Sequence, residues 1–85
     1  MDYERRSNLF KALAHPVRLK MVLGLMNNRC NVNEIVKKLD MPQSTVSQHL
    51  GILRAQGIIV PKKDGVRTCY NVVSREVKAI VKILM

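Results

Sequence analysis

The sequence predicts a mainly α-helical domain that closes with a β-hairpin and one more helix. Three observations carry this. Apolar residues recur at helical spacing from Leu9 to Leu53. At Ile58 the pattern turns strand-like. Between the two strand-like runs stands Asp64-Gly65, a strong signal for a tight hairpin turn.

The elements follow in order. Leu9, Phe10 and Leu13, with Ala14 beside them, give residues 3–14 one apolar face. His15-Pro16 interrupts, and proline is well tolerated in a first helical turn, so a second helix is placed at 16–27. Its apolar residues Val17, Leu19, Met21, Val22, Leu23, Leu25 and Met26 cover most of its circumference, which marks it as central to the core. Asn27-Asn28 ends it. Asn31 to Glu34 reads as a capping box for a short helix at 32–39, with Ile35, Val36 and Leu39 inward. Asp40-Met41-Pro42 is a tight connection to a fourth helix at 43–56. Val46, Leu50 and Leu53 anchor one face of that helix, joined by Ile52, and Gly57 is its C-cap. Residues 58–63 and 66–73 are the two strands. On the second, Thr68, Tyr70 and Val72 share one face, and Arg67, Cys69, Asn71 and Val73 the other. Ser74 caps a last helix at 75–84, with Val77, Ile80, Val81 and Leu84 on one stripe.

Composition narrows the function. The chain has 85 residues and a net charge of +9, and its 47% hydrophobic content is that of one small folded domain rather than a basic tail. The charge calls for a polyanion, nucleic acid or an anionic membrane. No run approaches the roughly 18 apolar residues of a membrane span. No helix combines a long apolar face with a dense basic one, so no membrane partner is expected. The first six residues do not read as a signal peptide, and a cytoplasmic location is the expectation. Two cysteines make neither a disulfide framework nor a metal knuckle. No nucleophile–base arrangement and no glycine-rich phosphate loop occur, so no enzyme activity and no cofactor are expected.

Two short helices joined by a tight turn and followed by a charged hairpin make a winged helix-turn-helix: helix, helix, short strand, helix, helix, strand, strand, helix. The fourth helix would read DNA. From Met41 to Leu53 there is no Asp, Glu, Lys or Arg. A neutral polar face suits base edges, which Gln and Ser recognise by geometry while other residues grip phosphate. Gln43, Ser44, Ser47 and Gln48 lie opposite Val46, Leu50 and Leu53 and are the candidate base readers. Thr45 and His49 fall at the flank, toward the DNA backbone. Lys37 and Lys38 end the preceding helix, where they suit both phosphate and the helix C-terminus. Lys62, Lys63 and Arg67 charge the wing, either for phosphate or as protection for an exposed strand edge. A helix with unremarkable polar residues, or a winged module that docks on protein instead of DNA, are the alternatives.

Three segments resemble bacterial regulators of the ArsR/SmtB family: Phe10 to Leu19 (FKALAHPVRL), Gln43 to Leu50 (QSTVSQHL) and Arg67 to Val72 (RTCYNV). The resemblance covers nearly the whole chain, and residues 1–85 form one domain. It implies a homodimeric transcriptional repressor at an inverted-repeat operator, with the helices at 3–14 and 75–84 forming the dimer interface. Leu9, Phe10, Val77, Ile80, Val81 and Leu84 are then the interface candidates. Two reading helices roughly 34 Å apart would meet successive major grooves.

The family's metal sites are not matched. Where the arsenic-type pattern has Cys-Val-Cys-Asp-Leu, this chain has Asn31-Val32-Asn33-Glu34-Ile35, and its last helix lacks the Asp and His of the zinc-type site. No metal ligand is assigned, although two thiolates could still hold a soft metal. His15, ahead of Pro16, reads as a structural or capping residue. Cys30 and Cys69 are instead a candidate redox pair: a short strand after the second helix would start at Cys30 and pair with the strand that carries Cys69. Two small residues that stay reduced are the alternative.

Overall fold

The computed structural model describes residues 2–27, 37–65 and 67–85. Helix α1 spans Tyr3–Leu13 and α2 spans Pro16–Met26. Residues 37–39 are helical and lead through a turn into α3, Gln43–Ala55. Strands β1, Ile59–Asp64, and β2, Arg67–Val72, form an antiparallel hairpin, and α4 spans Arg75–Leu84. This is the mainly α winged helix-turn-helix read from the sequence. The candidate capping box at Asn31 to Glu34, the short strand and Cys30 lie outside the described residues.

Each helix start has a local cause. Asp2 caps α1 by accepting from the Arg5 amide at 3.0 Å. His15 caps α2 through Nδ1, which accepts from the Val17 amide at 3.1 Å, and Pro16 occupies the first turn. Ser74 caps α4 by accepting from the Val77 amide at 3.3 Å. The turn before α3 puts Asp40 at φ +50, a left-handed conformation that Asp tolerates better than most residues.

The end of α3 sets the wing. Gly57 takes φ +70, its amide donates to the Arg54 carbonyl, and the Ile58 amide donates to the Leu53 carbonyl. This is a Schellman motif, and its accompanying hydrophobic contact is present in the fully buried Leu53 and Ile58. The chain therefore leaves α3 at a fixed angle and enters β1 directly. In the hairpin Asp64 pairs with Arg67 as the last rung and Gly65 takes φ +64, so the turn comes one residue later than the Asp64-Gly65 reading placed it.

The core joins one face of every helix to the base of the hairpin. Leu9, Leu13, Met21, Val22, Leu25, Val46, Leu50, Leu53, Ile58, Ile59, Val72, Val77 and Val81 are all buried. Leu9, Val77 and Val81, expected at the interface, are buried in the protomer's own core. A stripe at helical spacing shows that a face is covered, but not by which chain. On the same helices Tyr3, Phe10, Ile83 and Leu84 are exposed and Ile80 is half-buried. Among the described residues no helix is long and apolar enough to cross a membrane.

Candidate nucleic-acid interface

Helix α3 is amphipathic in the sense the sequence required. Val46, Leu50 and Leu53 are buried, while Gln43, Ser44, Ser47 and Gln48 are exposed together on the outer side. Thr45 is half-buried at the edge. The helix has no side-chain N-cap; the Pro42 carbonyl receives the Thr45 and Val46 amides, both at 3.1 Å. The amides of Gln43 and Ser44 belong to the first turn, which has no intrahelical acceptors, so they point to where an anion such as a backbone phosphate would be favoured.

Exposed cations stand on the elements before and after α3 in the chain. Lys37 and Lys38 are exposed in the helical stretch before the turn. Lys62 and Lys63 are exposed on β1, paired in register with Cys69 and Thr68, and the backbone of Arg67 lies at the turn end of β2. Cys69 is 3% exposed although it lies on the opposite face of β2 from Tyr70 and Val72. Among the described residues no group of three or more His, Cys, Asp or Glu could hold a metal ion.

His49, expected at the flank of the helix, is half-buried, and its ring lies against Arg18 of α2 and against His15. Its Nδ1 lies 3.3 Å from Nη1 of Arg18, and its ring centroid lies 4.6 Å from that of His15. Arg18 also donates from Nε to the Ala12 carbonyl at 2.6 Å and from Nη2 to the Lys11 carbonyl at 3.4 Å. One guanidinium thus ties the end of α1 to the middle of α3. Sequence reasoning gave Arg18 no role. The available signal was a single fork-shaped cation in the first turn of the most apolar helix.

A second contact joins the two outer helices. Arg6 Nη1 lies 3.7 Å from Glu76 Oε1. At helical spacing Tyr3 and Phe10 share the Arg6 side of α1, and Ile80, Ile83 and Leu84 share the Glu76 side of α4. The bridge therefore brings two faces with exposed apolar side chains next to each other.

Comparison with known proteins agrees with this geometry. Residues 15–60 match the family described as bacterial regulatory protein, arsR family. An uncharacterized HTH-type transcriptional regulator of Methanocaldococcus jannaschii is 39% identical over 84 residues, covering 96% of this chain and 93% of its own. The transcriptional repressor PagR of Bacillus anthracis is 38% identical over 85 residues, covering 99% of this chain and 85% of its own. The solved structure of HlyU from Vibrio cholerae superposes with a TM-score of 0.88 at 34% identity, covering 99% of this chain and 94% of that one. The chain belongs to the arsR family of bacterial regulatory proteins: it is a DNA-binding transcriptional regulator and not an enzyme.

Proposed function

We propose that this chain acts as a homodimeric repressor that reads an inverted-repeat operator with Gln43, Ser44, Ser47 and Gln48. The observation that carries the reading is the division of labour around α3. Its exposed face is polar and uncharged, while Lys37, Lys38, Lys62 and Lys63 are exposed on the elements beside it. Neutral side chains read base edges, and cations grip phosphates and supply affinity. Thr45 serves the flank and Arg67 the wing. The two-fold partner packs on Tyr3, Phe10, Ile80, Ile83 and Leu84, so that two copies of α3 face successive major grooves. Repression is supported by the likeness to PagR, named a transcriptional repressor.

The test is enrichment of duplexes from a random-sequence pool, followed by a salt titration of the selected one. A two-fold symmetric site whose affinity falls steeply with salt supports the reading. Binding with no salt dependence favours a module that docks on protein. Repression is then scored with a reporter gene placed behind the selected site.

The finer part of the reading is redox control through Cys30 and Cys69. The buried place of Cys69 on β2 supports it, because a covalent change there would act on the wing. In the oxidised form the two sulfurs share a bond, and formation of that bond passes two protons and two electrons to an oxidant such as a peroxide. Cys30→Ser and Cys69→Ser proteins should each lose the difference in DNA affinity between oxidant and reductant. An unchanged difference in both would sink the switch.

A further inference from the structure

We propose that Arg18, with His15 beside it, is a positioning residue for the reading helix, locking α3 to the end of α1 through His49 only while His49 Nδ1 carries no proton. This rests on the reading that α3 enters the DNA groove. The argument is geometric. A guanidinium has donors only, so the atom 3.3 Å from Arg18 Nη1 must accept, and an imidazole nitrogen accepts only when it is bare. Two further donors of the same fork, on Nε and Nη2, go to the Ala12 and Lys11 carbonyls. Arg18 is therefore fixed on α1, and His49 must come to it.

The neighbours leave the added proton no compensation. The groups that bear electrostatically on His49 are His15 from the α1–α2 turn and Arg18 from α2, and no carboxylate among the described residues joins them. His15 Nδ1 is already used as the cap of α2. A proton on His49 thus exchanges a hydrogen bond for repulsion by a fixed cation, next to a ring at 4.6 Å. Partial burial, then His15 and Arg18, hold the His49 pKa below its ordinary 6.5, which agrees with this geometry. Arg18 also lines a solvent-open groove with Asn8, Lys11, Ile52 and Gln56.

The sign of the effect makes the proposal testable. Protonating histidines adds positive charge, and a charge beside phosphate strengthens DNA binding. Release of the lock does the opposite. The experiment measures affinity for the duplex enriched by the protein at about pH 8, at fixed salt, down to about pH 5.5, the range in which imidazole titrates. Each variant is scaled to its own value at the upper pH. The parent should weaken toward acid by up to about tenfold per pH unit, the limit for one linked proton. His49→Gln should give a flat profile. Arg18→Lys should flatten it too, because a point charge cannot hold two carbonyls and His49 together. By linkage, DNA should move the His49 titration, followed by NMR, to lower pH.

An affinity that rises toward acid would overturn the proposal and return His49 to a phosphate contact. So would a parent-like slope in His49→Gln or Arg18→Lys, or loss of helical circular dichroism over the same range. If no duplex is enriched at about pH 8, the DNA reading fails by itself. The lock is then judged on free protein: α3 amide signals should move with the His49 titration in the parent and stay still in His49→Gln, and immobile signals in the parent would overturn it.

Discussion

The guanidinium of Arg18 stands 3.3 Å from Nδ1 of His49, 31 residues away in the sequence, while its Nε donates to the Ala12 carbonyl at 2.6 Å. One side chain on α2 therefore bridges α1 and α3. Arg18→Ala should lower stability by on the order of 1.5 kcal/mol, the worth of a hydrogen bond to a charged group. Urea unfolding at neutral pH measures it. Arg18→Lys should recover part of the loss.

Stability should also depend on pH through His49. The unfolded chain takes up this proton near the ordinary value of 6.5, and the folded chain takes it up only at lower pH. Between those values the unfolded state binds more protons, so stability falls as pH drops below about 6.5 and levels off below the folded value. The urea midpoint, followed from neutral to mildly acidic pH, should decline in the parent and less in His49→Gln. Equal declines would remove His49 as the cause.

Gly57 carries the junction between reading helix and wing. A Cβ there would meet nothing within 4 Å, so the cost of Gly57→Ala is that of the left-handed backbone alone. The expected loss is about 1 kcal/mol. For a domain of this size that lowers Tm by about 4–8 °C, read by thermal unfolding. DNA affinity should fall with it if the wing angle changes.

The two sides of α4 should separate fold from assembly. Val81 is fully buried, and Val81→Ala should destabilise the protomer by about 2 kcal/mol. Ile83 is 83% exposed, and Ile83→Asp should change protomer stability by no more than about 0.5 kcal/mol. Analytical ultracentrifugation should nevertheless show Ile83→Asp as a monomer. A dimer of unchanged strength would move the interface elsewhere.

Reading and gripping residues should fail differently. Gln48→Ala should cost about 1–3 kcal/mol on the selected duplex and relax the preference at one base position. Lys63→Ala should weaken binding evenly across sequences and lower the salt slope by about 1. Binding of a panel of single-base variants at two salt concentrations distinguishes the outcomes.

Much of the fold was legible because its cues are local. The Ser74 cap, the proline after His15 and the Gly57 stop all act within a few residues, and the helix starts at Pro16 and Arg75 and the end of α3 follow from them. The outer face of α3 was legible too, since Val46, Leu50 and Leu53 determine what points away. The fate of Val77 and Val81 was not, because a covered stripe looks the same against its own core as against a partner. Nor was the inward turn of His49, because the residue that draws it lies on another helix.

The sequence by itself determined the order of helices and strands and the neutral polar face of α3. These depend on periodicity, capping chemistry and residue type, which act over one or two turns. Only the tertiary structure decided which apolar side chains close the protomer's core and which stay exposed. It alone joined Arg6 to Glu76 and Arg18 to His49, and it alone put His15 against His49. The physical reason is that these pairs form only after the core has packed, when the position of each helix is set by residues far away in the chain.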